Sequence, residues 1–506
     1  MTRILLGYSA NTARTANKVA VYADFDKLVN PHVMFTGDSG TGKTHQLRGA
    51  IKEAIKTSDH PLRIHVFDVH GDIDIDPTIC STVSFSESSP YGFNPLSINP
   101  DPEFGGVRKC ITNFIATLRL SPTTSRALGP KQQDVLRNLL TDVFHNADFI
   151  TDDPRSWGVS EEQAPVGLLP GRVYVDVPFG EKDLAKQLHG PDMAWHKEVY
   201  CWHVGRYEGP IARWPEKRWG KVNPTLKTLL QYAKRRREMS FTGLGQKEAA
   251  LMETVHKRAR ALSLRLQQLA RSRNNGDPDE LDTARKELDK AKNESLTAFK
   301  NYISDVETGD ALDALLKYDS YESLSTVTQI LDSLNQSGIF RETQPNFDPR
   351  KPVWRYKINA LDPEEQKFLI NVRLREVFFA AVQRGETNNL ADVIVIDEGA
   401  KFVEDDEGHI INVIALEARK FGLAIWFASQ SPTQYPDALL STVATKIVLG
   451  LDPSYWQMAQ RKLKIEEKAM QWIRPREGLL ASFKLRGQSV RGWEWVTTPT
   501  AVGEAG

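Results

Sequence analysis

The sequence predicts an α/β protein with a mainly parallel sheet, interrupted by a large, mostly helical insertion. Three observations predict it. Strand and helix patterns alternate between Lys18 and Val66, helical patterns dominate between about Pro100 and Pro349, and the alternation resumes after Pro352. The expected organisation is a first core part over residues 1–100, an insertion over 101–350 and a second core part over 351–506.

"KVAVYADF" and "PHVMFTG" are short apolar runs of strand type, the second ending in a glycine turn. In "GKTHQLRGAIKEAIK", Leu47, Ile51 and Ile55 recur every four residues and mark one face of a helix. "RIHVF" is a second buried strand, and strand–helix–strand at these lengths requires parallel pairing. In the insertion, "KQQDVLRNLLTDVFH" is amphipathic through Val135, Leu139, Leu140 and Val143, whereas residues 151–222, rich in Pro, Gly and Trp, show no period. Leu251, Val255, Leu262, Leu266 and Leu269 form a stripe that "NNGDPDE" breaks. Leu281, Ala284, Leu288 and Ala291 resume it, so residues 247–301 read as a helical hairpin. After Pro352, "VWRYKINA", "ADVIVIDEGAKF", "LAIWFASQSP", "TKIVLGLD" and "EGLLASFKLRG" read as strands. "EEQKFLINVRLREVFFAAVQRG" and "HIINVIALEARKFG" read as helices.

Lys+Arg and Asp+Glu both total 65 in 506 residues, so any nucleic-acid surface is a local patch and not a global excess. Cys80, Cys110 and Cys201 form neither a disulfide framework nor a metal-ligand pattern, which points to a reducing compartment. The longest apolar runs, "VIVI" and "AIWFA", fall far short of the ~18–20 residues a membrane span needs. The first 18 residues contain no signal-peptide core, so the expectation is a cytoplasmic chain with no membrane span.

Gly37, Gly42, Lys43 and Thr44 fit G-x-x-x-x-G-K-[ST], with Asp38, Ser39, Gly40 and Thr41 completing the loop, after a strand and opening a helix. Glycines let backbone N–H groups wrap phosphates closely, and the helix N-terminus adds partial positive charge. Lys43 would reach the β- and γ-phosphates of ATP, and the Thr44 hydroxyl would ligate Mg²⁺. "VIVIDE" places Asp397 and Glu398 at the C-terminal end of a buried strand, the edge where open parallel sheets bind ligands. Asp397 would hold the Mg²⁺ shell, and Glu398 would orient or deprotonate the attacking water. Gln430 ends the next strand, placed to bond the γ-phosphate or the water, or else simply to form a turn. Arg419, in "ALEARKFG", suits transition-state phosphate charge and can be supplied by a neighbouring subunit, with a surface ion pair as the alternative.

Together "GDSGTGKT", "VFDVHGD", "FNPL", "VIVIDEGAKF", "EARKFG" and "ASQSP" resemble the HerA–FtsK superfamily of hexameric, RecA-like motor ATPases. Within it the nearest likenesses are HerA-type translocases and the ATPases and coupling proteins of conjugation and type IV secretion. The resemblance covers residues ~18–100 and ~352–490 and leaves 151–310 unaddressed. It implies an RecA-like P-loop core, ATP and Mg²⁺ as cofactors, and a homo-hexamer. It also implies Glu398, Gln430 and Arg419 as catalytic, and Thr44 and Asp397 as metal-ordering, Asp397 through water. Asp68 and Asp72 would flank the nucleotide or a subunit interface, and His70 between them reads as structural. HerA proteins carry a β-barrel before the loop and coupling proteins carry N-terminal membrane helices. The 36 residues before Gly37 match neither, which implies a barrel-less member without a span.

From Leu230 to Gly276 there are eleven Lys/Arg against three Asp/Glu, beginning with Lys234–Arg237. Such a stretch neutralises DNA phosphates, or coats the solvent face of the hairpin beside its acidic partner helix. Trp195, Trp202, Trp214 and Trp219 could stack bases or pack an irregular domain. Three functions compete: a DNA translocase working with a nuclease or other effector, an ATPase energising conjugation or type IV secretion, and a nucleotide-gated scaffold with slow hydrolysis.

Overall fold

The structure, a computed structural model, describes residues 2–502 apart from 120–127, 162–164, 166, 178–181, 183–184, 187–191, 208–213, 218, 243–250, 252–253, 265–277, 306–316, 319–320, 338, 342, 407, 431–433 and 489–491. Two compact units result, Met1–Phe93 with Ser337–Gly506, and Asn94–Gln336.

In the first unit the described residues form one eleven-stranded sheet. Its strands are β1 (Arg3–Ser9), β2 (Ala20–Asp24), β3 (Val33–Thr36), β4 (Arg63–Asp68), β5 (Cys80–Ser84) and β6 (Val353–Lys357). They continue with β7 (Thr387–Ile396), β8 (Phe421–Ser429), β9 (Thr445–Val448), β10 (Gly478–Phe483) and β11 (Glu494–Thr497). The spatial order is β2-β1-β11-β10-β9-β3-β8-β7-β4-β6-β5. Every neighbour from β9 to β5 is parallel, and the pairs from β9 out to β2 are antiparallel. The mixed α/β class and the mainly parallel sheet are therefore as the sequence predicts.

The central strands are apolar on both faces because both faces are covered. Val33, Phe35, Ile64, Val66, Val395 and Trp426 join one core cluster with Leu47, Ala50, Ile51 and Ala54 of helix α1 (Lys43–Thr57). Strand alternation sends Met34, Phe67, Ile394, Ile396 and Phe427 to the opposite face. There α2 (Pro363–Arg384) and α3 (Ile410–Glu417) pack on β8. Helix α2 starts where local chemistry dictates: Asp362 accepts from the N–H groups of Glu364 and Glu365, Glu365 returns the bond, and Pro363 fills the first turn.

The second unit is mostly helical, with helices at Val107–Leu118, Pro130–Asn146, Leu226–Thr242, Pro278–Asp305 and Tyr321–Gln336. The stripe read from sequence in the second of these is buried, through Val135, Leu139, Leu140 and Val143. The stretch without a period holds a small antiparallel sheet, with Cys201–Val204 between Val173–Val175 and Ala194–His196, packed on Trp202 and Trp214. Strands of three or four residues are too short to print an alternation. Of the expected hairpin, residues 254–264 and 278–301 are helical, while 265–277, where its turn was placed, lie outside the described residues. No described helix is long and apolar enough to cross a membrane.

Candidate functional site

Strands β3, β8, β7 and β4 are consecutive neighbours running the same way, so their C-terminal ends share one edge. Register pairs Thr36 with Ser429, Phe427 with Ile396, and Ile396 with Phe67. The loop 37–42, Gln430, Asp397–Glu398 and the turn 69–72 therefore emerge side by side. Only β8 separates the strand carrying the loop from the strand carrying the acids, a gap of about 10 Å at ordinary strand spacing.

The loop is held from both flanks. Gly37 N–H donates to Ser429 O at 3.1 Å and Asp38 N–H to Gly450 O at 3.0 Å. Inside it, the Thr41 hydroxyl donates to Asp38 O at 2.7 Å, and Asp38 Oδ1 accepts from Ser39 N–H at 2.7 Å. Lys43 Nζ reaches back to Gly37 O at 2.6 Å and Asp38 O at 3.2 Å, which leaves one ammonium proton for a ligand. Gly42 takes φ 100° at the start of α1, a backbone that a β-carbon disfavours, and no side chain caps the helix. Its first N–H groups are thus open to an anion.

Asp397 and Glu398 are both buried, 7% exposed. Asp397 N–H continues the ladder to Phe67 O, and its Oδ1 accepts from Glu398 N–H at 3.0 Å. Glu398 sits at φ 50°, a left-handed conformation costing about 1–3 kcal/mol in a residue with a side chain. There its Oε1 accepts from Gln430 Nε2 at 3.3 Å and lies 3.8 Å from His70 Nε2. Carboxylate oxygens of Asp68, Asp72 and Asp397 lie within 4.8 Å of one another. Burial first, then the Glu398 charge, pushes the Asp397 carboxyl up to about 6. Opposite them, burial lowers Lys43, while Glu398, Asp397, Asp38 and Asp72 pull it up. A crowded acid cluster, with Asp68 and Asp397 buried and Asp72 exposed, beside an uncapped helix N-terminus is a donor set that fits a divalent cation with a polyphosphate.

Asp68 is fully buried and committed to its own surroundings. Its oxygens accept from Gly71 N–H at 2.7 Å and Ile73 N–H at 3.2 Å, and from Arg355 Nε and Nη2 at 2.8 and 2.5 Å. Arg355 Nη2 also donates to Gly71 O at 3.1 Å. The pair therefore shapes the turn that presents His70 and Asp72. Arg355→Met would strand a buried carboxylate, so denaturant titration should show a loss on the order of 3–5 kcal/mol. Arg355 was not read as a site residue from the sequence, although an arginine at the middle of the strand "VWRYK" was a visible signal.

Arg419 lies elsewhere. It is exposed and precedes β8, at the opposite end of that strand from Gln430. The nine residues of β8, at ~3.3 Å each, put about 30 Å between it and its own loop. In the second unit, Lys234 pairs with Asp332 at 2.7 Å, Arg236 bonds Tyr232 at 2.9 and 2.7 Å, and Arg258 pairs with Glu287. Lys234 and Arg258 thus meet an opposite charge within the unit and Arg236 a tyrosine hydroxyl; Arg265, Arg271 and Arg273 lie outside the described residues. Trp202 and Trp214 are core residues, with Trp195 set edge-on against Trp202 at 5.1 Å.

Residues 9–101 match the family model described as "Helicase HerA, central domain". Among solved structures, the chain resembles VirB4 of Thermoanaerobacter pseudethanolicus with a TM-score of 0.51 at 13% identity, covering 98% of this chain and 96% of that one. It also resembles the plasmid coupling protein TrwB in complex with a non-hydrolysable ATP analogue, with a TM-score of 0.45 at 10% identity over 98% and 94%. No curated protein matches it in sequence. The HerA match over the loop and the fold shared with VirB4 bear out the resemblance read from the motifs: residues 9–101, which hold the phosphate loop, match the HerA central domain, and the chain has the α/β fold of VirB4.

Proposed function

We propose that the chain is the ATP-hydrolysing subunit of a homo-hexameric ring motor that translocates DNA and works with a nuclease or other effector protein. The observation that carries this reading is the division of labour along β8. Lys43, Asp397, Glu398 and Gln430 gather at one end, and an exposed arginine stands at the other, out of reach of its own site. A copy packed against that end completes the site.

In this reading Gly37 to Lys43 would cradle the triphosphate of ATP, and Thr44 and Asp397 would hold Mg²⁺, Asp397 through water. A bound Mg²⁺ would offset charge on the β- and γ-phosphates. Glu398 Oε1 aligns a water and takes its proton. Gln430 sits one bond from Glu398 Oε1 and follows Ser429, whose carbonyl holds Gly37 N–H. It therefore links the acid to the first residue of the loop, as a sensor of the γ-phosphate requires. Asp68 acts one step back, by fixing the turn.

The reading makes a prediction about stability. Asp397 carries a charge that the folded, ligand-free chain disfavours, by about two pKa units or roughly 3 kcal/mol above pH 6. The sign follows from the raised value: the penalty is absent below the ordinary carboxylate pKa and complete above about 6. Asp397→Asn should therefore raise the melting temperature of the ligand-free protein at pH 7.5 and remove the further rise that Mg²⁺ and ATP give the wild type.

ATP turnover stimulated by DNA, with steep dependence on salt, would support translocation of DNA, for which the HerA family match speaks. The VirB4 fold over 98% of the chain favours a second reading, an ATPase of conjugation or type IV secretion. Turnover that DNA leaves unchanged decides for that reading.

A further inference from the structure

The loop between the short helix Glu467–Trp472 and β10 lies against the phosphate loop, on the flank away from the acids. In sheet order, β10 and β9 stand on one side of β3, and β8 and β7 on the other. Arg476 N–H donates to Thr41 O at 3.2 Å. Arg476 O accepts from the Thr498 hydroxyl at 2.7 Å, so the residue is pinned between the phosphate loop and a buried threonine. It is held at φ 67°, left-handed, a conformation with a cost like that of Glu398. Its Cγ lies 3.5 Å from where a β-carbon on Gly42 would stand, so its stem runs along the loop's last glycine. The side chain is exposed, and among the described residues its guanidinium has no ion pair or hydrogen bond.

A strained backbone that aims an unpaired cation along a ligand loop suits a binding role better than a structural one. A triphosphate in the loop with its γ-end toward Glu398 sends its nucleoside end toward Arg476. The geometry points to Arg476 as the residue that covers the base of the bound nucleotide, its guanidinium plane stacked on the purine face. This rests on ATP binding at the loop as proposed above. A face carries no hydrogen-bond pattern, so the contact favours purines as a class without selecting one.

The test uses Arg476→Gly, because glycine accepts φ 67° and the variant should be at least as stable as the wild type. Calorimetry in the presence of Mg²⁺ should show ATP and GTP both weakened roughly tenfold, with inorganic tripolyphosphate unchanged. Arg476→Lys, which keeps the charge and loses the plane, should restore little of the purine affinity. An equal loss for tripolyphosphate would make Arg476 a phosphate ligand and overturn stacking, as would recovery by Arg476→Lys. Unchanged ATP affinity would also overturn it. The underlying reading fails separately, by Lys43→Ala binding ATP as tightly as the wild type does.

Discussion

Glu398→Gln should hold ATP without turning it over, with kcat lower by about 10²–10⁴ and ATP affinity kept or increased. The expectation follows from where the carboxylate is. Its backbone sits at φ 50°, its Oε1 accepts from Gln430, and its neighbour Asp397 belongs to the cation cluster. Glutamine has the same shape and can keep a contact with Gln430, yet it cannot take a proton from water. Because the substitution also removes a negative charge near Asp397, the ligand-free variant should be no less stable. A single-turnover assay with radiolabelled ATP reads this directly. Hydrolysis at the wild-type rate would remove Glu398 from the role of base.

Arg419→Ala should lower turnover by about 10³–10⁵, the range for an arginine that stabilises a transferring phosphoryl group. The residue lies at the far end of β8 from its own Glu398, so any contribution has to come from a neighbouring copy. Mixing makes the claim specific. Rings assembled from Arg419→Ala and Lys43→Ala subunits, each inactive alone, should recover turnover at interfaces where an intact arginine faces an intact loop. The recovered rate should follow the mixing ratio as random assembly requires. Homogeneous Arg419→Ala rings should keep ATP affinity, since the loop itself is untouched. Mixed rings with no recovery would leave Arg419 as a surface residue.

The parts of the site that were legible in the sequence are those coded locally. The phosphate loop, the "VIVIDE" strand and the strand ending at Gln430 are each one continuous segment, and central parallel strands are continuous apolar runs. That β8 lies between β3 and β7 follows from sheet order, which no single segment encodes. Strands β1, β5 and β11 were missed for a related reason. "RILLGYS", "CSTVS" and "EWVT" are half-exposed or short; "CSTVS" pairs with β6, remote in the chain, and β1 and β11 also pair with each other from opposite ends of it. Asp68 shows the limit most clearly. Its carboxylate looked available to a nucleotide, and only the fold reveals that Arg355, from the far side of the insertion, already holds it. Arg476 belongs to no motif, and its significance comes from a backbone angle and a neighbour in the loop.

The central claim is that one metal-bound triphosphate touches both Lys43 and Asp397. Pulsed electron paramagnetic resonance with Mn²⁺ replacing Mg²⁺ tests it most directly, using ATP held on the Glu398→Gln chain. Phosphorus couplings to the manganese are expected. The bound manganese signal should fall when Asp397→Asn is added and vanish when Lys43→Ala is added instead. Manganese and ATP bound as tightly with Asp397→Asn as without it would mean that the acids and the loop serve different ligands.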